Sequence, residues 1–355
     1  MTYNSKVLLI YTGGTIGMRR NRHTGALEPL DFEHLLQRVP ELQHVDTHID
    51  TYQFAPPIDS SDMSTSHWQQ LARVIAEGYD DYDGFVVLHG TDTMAYTASA
   101  LSFMLENLTK PVVFTGSQLP IGQLRTDGKE NLITSIEIAA AKDVNGRARV
   151  PEVGIYFGGH LLRGNRTTKQ SAEEFNAFES YNYPHLVEAG VNIVYHDGRM
   201  LRPNWQTPMT PHYELDNSVV IFSLFPGIGE DYVRHIISMP HLKAIVMRTY
   251  GSGNAPQHPG LLAALADCCR RGQVVVNVSQ CMQGSVQMER YDSGYHLQQA
   301  GVVSCVDSTV EAAVTKLMYL LPRFPGQPDT VRRLMATSIR GEISTIDHQG
   351  IVQIH

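Results

Sequence analysis

The feature that most constrains this chain is residues 7–18, where an apolar run stops abruptly at two adjacent glycines. The run at residues 7–11, VLLIY, is short and rich in β-formers, which predicts a strand buried on both faces in a parallel sheet. Gly13 and Gly14 then permit backbone angles and close approaches that a side chain would block. Because open α/β sheets bind ligands at the carboxyl ends of their strands, we expect Thr15 to stand in such a crevice.

A plain tight turn or a phosphate-binding glycine loop would also produce two adjacent glycines after a strand. The glycine spacing does not fit G-x-G-x-x-G, and no lysine follows the glycines as in a P-loop, so nucleotide binding and dehydrogenase chemistry are disfavoured. Residues 19–29 are polar and are expected to form a flap over Thr15, or else an ordinary surface hairpin. A helix is expected at residues 31–39.

Length and composition favour a globular protein of two domains. A chain of 355 residues is longer than one ordinary domain with a single hydrophobic core. Its content of 42% hydrophobic and 18% charged residues is typical of globular proteins. With 28 basic and 36 acidic residues, a net charge of −8 and no basic block, neither nucleic acid nor an anionic membrane is an expected partner. No apolar stretch approaches the roughly 18 to 20 residues that span a bilayer, and no signal-peptide cleavage pattern follows the N-terminus.

The cysteines and histidines indicate neither disulfides nor a metal. The four cysteines are not at metal-site spacing, which favours buried free thiols in a reducing cytoplasm, with Cys281 packed near the end of a strand. The 16 histidines form no H-E-x-x-H pair or similar motif. We therefore expect no metal and no cofactor.

Further apolar runs end in polar turns of the same kind. Residues 85–88 lead into residues 89–93, HGTDT, and a helical stripe that extends to Leu108. Capping alone does not explain two strands that end in glycine plus threonine, so Thr15 and Thr91 are expected to share a site. Residues 59–63, DSSDM, either cap a helix or bind the charged α-groups of an amino acid.

Two more strands are expected at residues 111–114 and 153–157, and the second leads into a donor-rich turn that ends at Lys169. A lysine in such a turn is usually a solvated surface charge. If Lys169 instead has a function, we expect the chain to bring it back over the edge of the sheet to Thr91.

The alternation of strands and helices predicts an α/β fold of two domains, each with a mainly parallel sheet flanked by helices. Residues 1–202 form the larger N-terminal domain with the threonines, and residues 218–355 form the smaller C-terminal domain. Residues 203–217 contain three prolines and little apolar periodicity, which is typical of a linker.

Four segments resemble conserved motifs of the bacterial-type L-asparaginases. Residues 12–16 (TGGTI) and 89–93 (HGTDT) are similar to the two signatures of that family, and residues 164–169 (GNRTTK) and 250–254 (YGSGN) to two further segments. The similarity covers nearly the whole chain, in order. The absence of a signal peptide and the residue pattern around the third and fourth motifs resemble the cytoplasmic, type I branch.

The resemblance implies hydrolysis of L-asparagine to L-aspartate and ammonia through a covalent acyl-enzyme. It assigns the nucleophile to Thr15 and a second catalytic group to Thr91, although the spacing alone does not decide which of the two attacks. A buried network of lysine, threonine and aspartate is the expected base. The remaining residues that match family positions are Asp92 and Lys169 beside Thr91, Ser60 with Ser61 or Asp59 at the substrate carboxylate, and Asn254, which in the family comes from a partner subunit of a homodimer or homotetramer.

Two further features concern turnover and regulation. The family's flap tyrosine matches Ala26, which leaves the turnover rate and the choice of substrate open. A second, regulatory asparagine site in type I relatives matches Thr168, Arg248 and Cys281. The simpler interpretation makes Cys281 a packed thiol and Arg248 a structural ion-pair donor.

Two alternative functions compete with asparagine hydrolysis. One is an amidohydrolase acting on glutamine or a larger amide, as in an amidotransferase, but no tRNA-binding segment is visible. The second is a non-catalytic amino-acid sensor, which predicts a lost nucleophile or lysine, whereas the sequence retains all four catalytic candidates.

Overall fold

The structure is a computed structural model that describes residues 4–20, 27–29, 39–346 and 352–353. The helix predicted at residues 31–39 falls outside this set except for its last residue, and so does Ala26 of the predicted flap. The chain divides into two compact units, Met1–Tyr213 and Glu214–His355.

The first unit is built around one large sheet of eight strands, with three separate pairs of short strands. The described strands of this unit are β1 (Lys6–Tyr11), β2 (Met18–Arg20), β3 (Leu27–Pro29), β4 (His48–Gln53), β5 (Gly84–Leu88), β6 (Leu105–Glu106), β7 (Val112–Thr115), β8 (Val153–Phe157), β9 (His160–Arg163), β10 (Thr168–Lys169), β11 (Phe178–Glu179), β12 (Val187–Ala189), β13 (Ile193–Tyr195) and β14 (Thr210–Pro211). Its described helices are α1 (Thr65–Glu77), α2 (Met94–Met104) and α3 (Gly128–Ala140).

The order of strands places a ligand-binding crevice at a defined point. The sheet runs β13-β12-β9-β8-β7-β5-β1-β4, and the five strands from β8 to β4 are parallel. The chain goes from β1 to β4 on one side and returns through α1 to β5 on the other side of β1. The strand order therefore reverses between β1 and β5, and ligands of open α/β sheets bind outside the carboxyl ends of strands at such a switch point.

The central strands are buried on both faces, as the apolar runs predicted. Leu9, Tyr11 and Leu88 join a core cluster on one face with helix α3, and the alternate residues Ile10 and Val87 are also fully buried. The strands therefore have no solvated face, which is the pattern of a parallel sheet covered by helices.

The helix α2 ends earlier than the apolar stripe predicted. It stops at Met104, although Leu105 and Leu108 are also buried. Leu105 instead belongs to β6, which pairs antiparallel with β14. Asn107 has a φ of 57°, a left-handed conformation that cannot continue a right-handed helix.

The segment predicted as a linker, residues 203–217, is partly ordered within the first unit. Its strand β14 pairs with β6, and Asn107 bonds the backbone at Asn204. A linker role for the remaining residues stays a prediction.

The second unit is a smaller parallel sheet with helices. Its strands are β15 (Val219–Ser223), β16 (Ala244–Thr249), β17 (Val274–Ser279), β18 (Val303–Ser304), β19 (Thr345–Ile346) and β20 (Val352–Gln353). Its helices are α4 (Glu230–Ile237), α5 (Pro259–Arg270), α6 (Asp292–Gln299), α7 (Val310–Arg323) and α8 (Pro328–Met335). The strands β15 to β18 lie side by side and all pair in parallel. The predicted class, α/β with two mainly parallel sheets, is confirmed.

One expectation about the cysteines is wrong. Cys268, Cys269 and Cys305 are buried free thiols, but Cys281 is exposed. It lies in the turn after β17, where its backbone N–H bonds Ser279 Oγ at 2.9 Å. The turn holds the backbone and leaves the thiol outside the core.

No described helix is both long and apolar enough to span a bilayer. The described residues also hold no group of three or more histidine, cysteine, aspartate or glutamate side chains arranged for a metal ion.

A buried ion pair anchors the end of β9. Arg163 Nε donates to Glu152 Oε2 at 2.6 Å, and both side chains are at most 2% exposed. We predict that Arg163→Met lowers the free energy of unfolding by about 3 to 5 kcal/mol, because the carboxylate of Glu152 is left buried without its charge partner. Chemical denaturation measures this. Lys129→Met, which breaks an exposed pair with Glu41, is the control and should leave stability nearly unchanged. Equal effects of the two substitutions would refute the anchoring role.

Candidate active site

The loops after β1 and β5 meet backbone to backbone. The register that places Tyr11 beside Leu88 starts both loops at the same level of the sheet, and the Thr12 N–H donates to the Leu88 carbonyl at 3.0 Å. Gly14 has a φ of 96°, and a Cβ on it would lie 2.5 Å from the backbone nitrogen of Gly90. Only glycine fits there, so the residues that follow, Thr15 and Thr91, are carried by two loops in direct contact.

Thr15 opens a 3-10 turn that is supported from the core side. The turn spans Thr15–Gly17, and the half-buried Thr15 is its first residue. The Tyr11 hydroxyl donates to the Gly17 carbonyl at 3.3 Å, and the Ile121 N–H donates to the Ile16 carbonyl at 3.2 Å. Burial raises the pKa of Tyr11 to about 12, so its hydroxyl stays protonated as a donor.

The segment with Asp59, Ser60 and Ser61 lies against the same junction. Ser60 is buried with its hydroxyl against Gly90, and its carbonyl accepts a 2.7 Å hydrogen bond from Thr93 Oγ1. Asp59 caps the short 3-10 turn by accepting from the Ser61 N–H at 3.0 Å and from its hydroxyl at 2.9 Å. The helix α1 has its own cap at Ser64, so these residues do not cap it.

Lys169 reaches the loop after β5. Its Nζ donates to Thr91 Oγ1 at 2.9 Å and to Asp92 Oδ1 at 2.8 Å. The Thr91 hydroxyl accepts from the ammonium group, which leaves its own proton available for another acceptor. The three side chains thus form one hydrogen-bonded group at the carboxyl end of β5.

The helix α2 brings Lys169 to this position. Thr91 and Asp92 precede its first turn, and further along it Ala98 packs against Gly164, where a Cβ would lie 3.1 Å from the Ala98 methyl. The turn that starts at Gly164 leads into β10, which contains Lys169. One helix therefore fixes both partners of the hydrogen bond.

The group is less buried than the sequence interpretation required. The Lys169 side chain is 19% exposed, but that of Asp92 is 65% exposed. The expectation of a wholly buried network is wrong for Asp92, because it lies at the rim of the crevice, ahead of the first turn of α2. Its interaction with Lys169 is therefore screened by solvent.

The remaining candidates are divided between the two units. Thr168 is its neighbour in β10, whereas Asn254, Arg248 and Cys281 belong to the second unit. The Asn254 Oδ1 accepts from Ser293 Oγ at 2.8 Å. Arg248 lies at the carboxyl end of β16, and its Nε is buried with no hydrogen-bond partner among the described residues.

Sequence reasoning missed three residues that hold this site. The sequence pattern identifies Tyr11 only as part of a strand, and His89 and Thr93 only as flanks of Thr91. Each makes a hydrogen bond that ties one site loop to its surroundings. The signal was present in part, because His89 and Thr93 lie within the HGTDT motif.

The fold and the site together define the class of this protein. It is an α/β protein that brings two threonine hydroxyls, an amine and a carboxylate to the switch point of its sheet. These groups suit covalent hydrolysis, in which a hydroxyl attacks and a neighbouring group moves its proton.

Comparisons with known proteins identify the family. The model of the asparaginase N-terminal domain matches residues 6–200, and that of the glutaminase/asparaginase C-terminal domain matches residues 218–335. L-asparaginase 1 of Escherichia coli K12 is 44% identical over 96% of this chain and 98% of its own length. The chain belongs to the asparaginase family, which confirms the resemblance.

Two solved structures agree with this assignment. L-asparaginase I of Vibrio cholerae is 41% identical with a TM-score of 0.85, and covers 96% of this chain and 99% of its own. The thermostable L-asparaginase of Thermococcus kodakarensis is 32% identical with a TM-score of 0.86 at the same coverage. The similarity in structure extends over both units of the chain.

The junction of glycine loops generates a prediction. Gly14→Ala should lower the free energy of unfolding by about 3 kcal/mol or more, because strain at positive φ adds to a clash with the Gly90 backbone. Gly146→Ala is the matched control, since Gly146 also has a positive φ but its Cβ would meet nothing within 4 Å. That control should cost about 1 to 2 kcal/mol. Denaturation curves that coincide for the two variants would contradict the close contact.

Proposed function

We propose that this protein hydrolyses L-asparagine to L-aspartate and ammonia through a threonyl acyl-enzyme. The observation that carries the proposal is the meeting of the Thr15 and Thr91 loops at the switch point, with Lys169 bonded to Thr91. Membership of the asparaginase family and the relatives named L-asparaginase support the choice of substrate.

The reaction proceeds in two halves. The Thr15 hydroxyl attacks the side-chain amide carbon, its proton passes to the neighbouring base, and the carbonyl oxygen becomes an oxyanion. Backbone N–H groups of the glycine-threonine turns stabilise that oxyanion. The C–N bond then breaks, ammonia leaves with the transferred proton, and water hydrolyses the threonyl ester to release aspartate.

Thr91, Lys169 and Asp92 manage the proton in this scheme. In the reacting form Lys169 is the neutral amine: Thr91 Oγ1 accepts the proton of Thr15 while its own proton passes to Lys169 Nζ, 2.9 Å away. Asp92 orients the amine from the rim. Because Asp92 is also largely exposed, it is available to bind the α-ammonium group of the substrate.

The α-carboxylate of the substrate binds beside Gly90. Ser60 is buried there and Ser61 lies next to it, with its hydroxyl and N–H fixed by Asp59. The Ser60 hydroxyl beside Gly90 is a donor that suits a carboxylate, and Asp59 fixes the turn that carries it by taking both donors of Ser61.

The roles of the two threonines are tested by ammonia release from L-asparagine and L-glutamine. We expect Thr15→Ala and Thr91→Val each to lower kcat by at least about 10³-fold, because each removes a group that acts on the reacting atoms. Thr47→Val is the control, since Thr47 is a buried threonine at the amino end of β4.

Normal turnover in Thr15→Ala would move the nucleophile to Thr91. Absence of wild-type activity on both substrates would favour a sensor, and activity on glutamine alone would favour the alternative amidohydrolase.

We also propose that the protein acts as a homodimer or homotetramer in which Asn254 completes the site of a neighbour. Asn254 stands in the loop after β16, where Ser293 holds its carbonyl oxygen and the amide N–H₂ group remains a possible donor to substrate. The resemblance of residues 250–254 to the family motif supports this placement.

Complementation between inactive subunits tests this arrangement. Thr15→Ala and Asn254→Ala should each be strongly impaired alone, and a co-expressed mixture should recover about a quarter of wild-type activity. Random pairing makes half of the dimers mixed, and each mixed dimer holds one intact site. If the mixture stays as inactive as its parents, Asn254 does not act across subunits.

A regulatory asparagine site at Thr168, Arg248 and Cys281 is a further proposal. The exposed Cys281 thiol, which a ligand can reach, and the buried Nε of Arg248, a donor without a hydrogen-bond partner among the described residues, support it. We expect wild-type turnover to be sigmoidal in asparagine and Cys281→Ala to be hyperbolic. Steady-state kinetics with Cys305→Ala as the buried-thiol control measures the difference. A hyperbolic wild type would remove the proposal.

The cytoplasm is the proposed location. Three buried free thiols and the similarity to L-asparaginase 1 of Escherichia coli support it. Fractionation of the native host tests it, and recovery outside the cytoplasmic fraction would refute it.

A further inference from the structure

His89 lies behind the Thr91 turn and makes a hydrogen bond through each ring nitrogen. Its Nδ1 is 2.7 Å from the Gly90 carbonyl, and its Nε2 is 2.9 Å from Thr97 Oγ1. A carbonyl only accepts, so Nδ1 carries a proton. Burial lowers the pKa of His89 to about 4, and the ring is therefore neutral near pH 7 with a lone pair on Nε2.

The neutral ring fixes the direction of the hydrogen bonds behind it. The Thr97 hydroxyl must donate to Nε2 of His89, and its oxygen accepts the Trp68 indole N–H at 2.9 Å. An indole nitrogen is only a donor, so the order cannot reverse. The resulting relay runs from Trp68 in α1 through Thr97 in α2 to His89 and ends on the Gly90 carbonyl. All three side chains are at most 7% exposed.

The end of this relay controls the orientation of a peptide plane. The Gly90 carbonyl and the Thr91 N–H belong to one planar trans peptide and point in opposite directions. When His89 holds the carbonyl on the core side, the Thr91 N–H is directed away from the core. The same plane sets where the Thr91 side chain begins, and hence where its hydroxyl meets Lys169.

We propose that His89, held by Thr97 and Trp68, is a positioning residue that orients Thr91 for catalysis. This inference rests on the proposed function. His89 acts through the peptide that joins Gly90 to Thr91, whose carbonyl it holds. The catalytic turn is thus tied to two helices rather than held by its own loop alone.

The test removes the middle of the relay and leaves the site side chains intact. Thr97→Val keeps the volume of the side chain but loses both hydrogen bonds, whereas Thr97→Ser keeps the hydroxyl. Thr315→Val is the matched control, because Thr315 is a fully buried helical threonine of the second unit whose hydroxyl, among the described residues, bonds only its own helix. Measurements are kcat and KM for L-asparagine and the midpoint of denaturation.

We expect Thr97→Val to lower kcat about 10- to 100-fold with KM within about twofold of wild type, the size of effect that misplacement of a catalytic group has. Thr97→Ser should recover most of that loss. Thr315→Val should be destabilised to a similar extent and keep its kcat. A kcat for Thr97→Val within twofold of wild type, or an equal loss in Thr315→Val, would overturn the proposal.

A second measurement keeps the inference testable if Thr97→Val folds poorly. Nitrogen-15 NMR of the histidine rings in the wild type should show His89 as the neutral form protonated at Nδ1. A ring protonated at Nε2 would reverse the relay and overturn it. Failure of the proposed function is distinct, because it appears as no ammonia release from L-asparagine by the wild type while the NMR result still stands.

Discussion

The contact between two glycine-bearing loops is the constraint on which the site of this protein depends. Gly14 and Gly90 lie so close that a side chain on either meets the other loop or Ser60. Without that contact, the loops that carry Thr15 and Thr91 would lie apart, and the two threonines would not share one site. The parallel register of β1 and β5 makes the contact possible, because it starts both loops at one level of the sheet.

The helix α2 then organises the rest of the first unit around this contact. Its N-terminus follows Thr91 and Asp92, its first turn carries Thr97 behind His89, and its middle packs against Gly164 ahead of Lys169. A rigid helix holds these groups at more constant distances from one another than a loop could. The buried pair of Arg163 and Glu152 fixes the end of β9, directly before the Gly164 turn that leads to Lys169.

Lys169 and Asp92 differ in exposure, and the two side chains therefore have different roles in the site. Lys169 is mostly covered and bonds Thr91 directly, while Asp92 is open to solvent at the rim. A covered amine acts on the threonine oxygen with little competition from water, and an exposed carboxylate can exchange its partner for a substrate ammonium group. In the second unit, Arg248 presents the opposite situation, a buried donor nitrogen that no described residue satisfies.

The sequence by itself determined the class of fold, the family and the elements that carry the site. Uninterrupted apolar runs such as residues 7–11 identify doubly buried strands, and the glycines after them mark ligand-facing turns, because both patterns depend on local preferences. The same local reasoning extended α2 to Leu108, since burial alone cannot separate a helix from the short strand that β14 stabilises there. It also misplaced Cys281, whose exposure depends on the path of a turn.

Only the tertiary structure decided how these parts meet. The approach of Lys169 to Thr91 spans a sequence separation of 78 residues, and the relay behind His89 joins two helices to one carbonyl. Neither follows from spacing, because long-range contacts depend on strand order and on how helices pack across the sheet. The residue types were set by the chain, whereas their distances, their exposure and the direction of their hydrogen bonds were set by the fold.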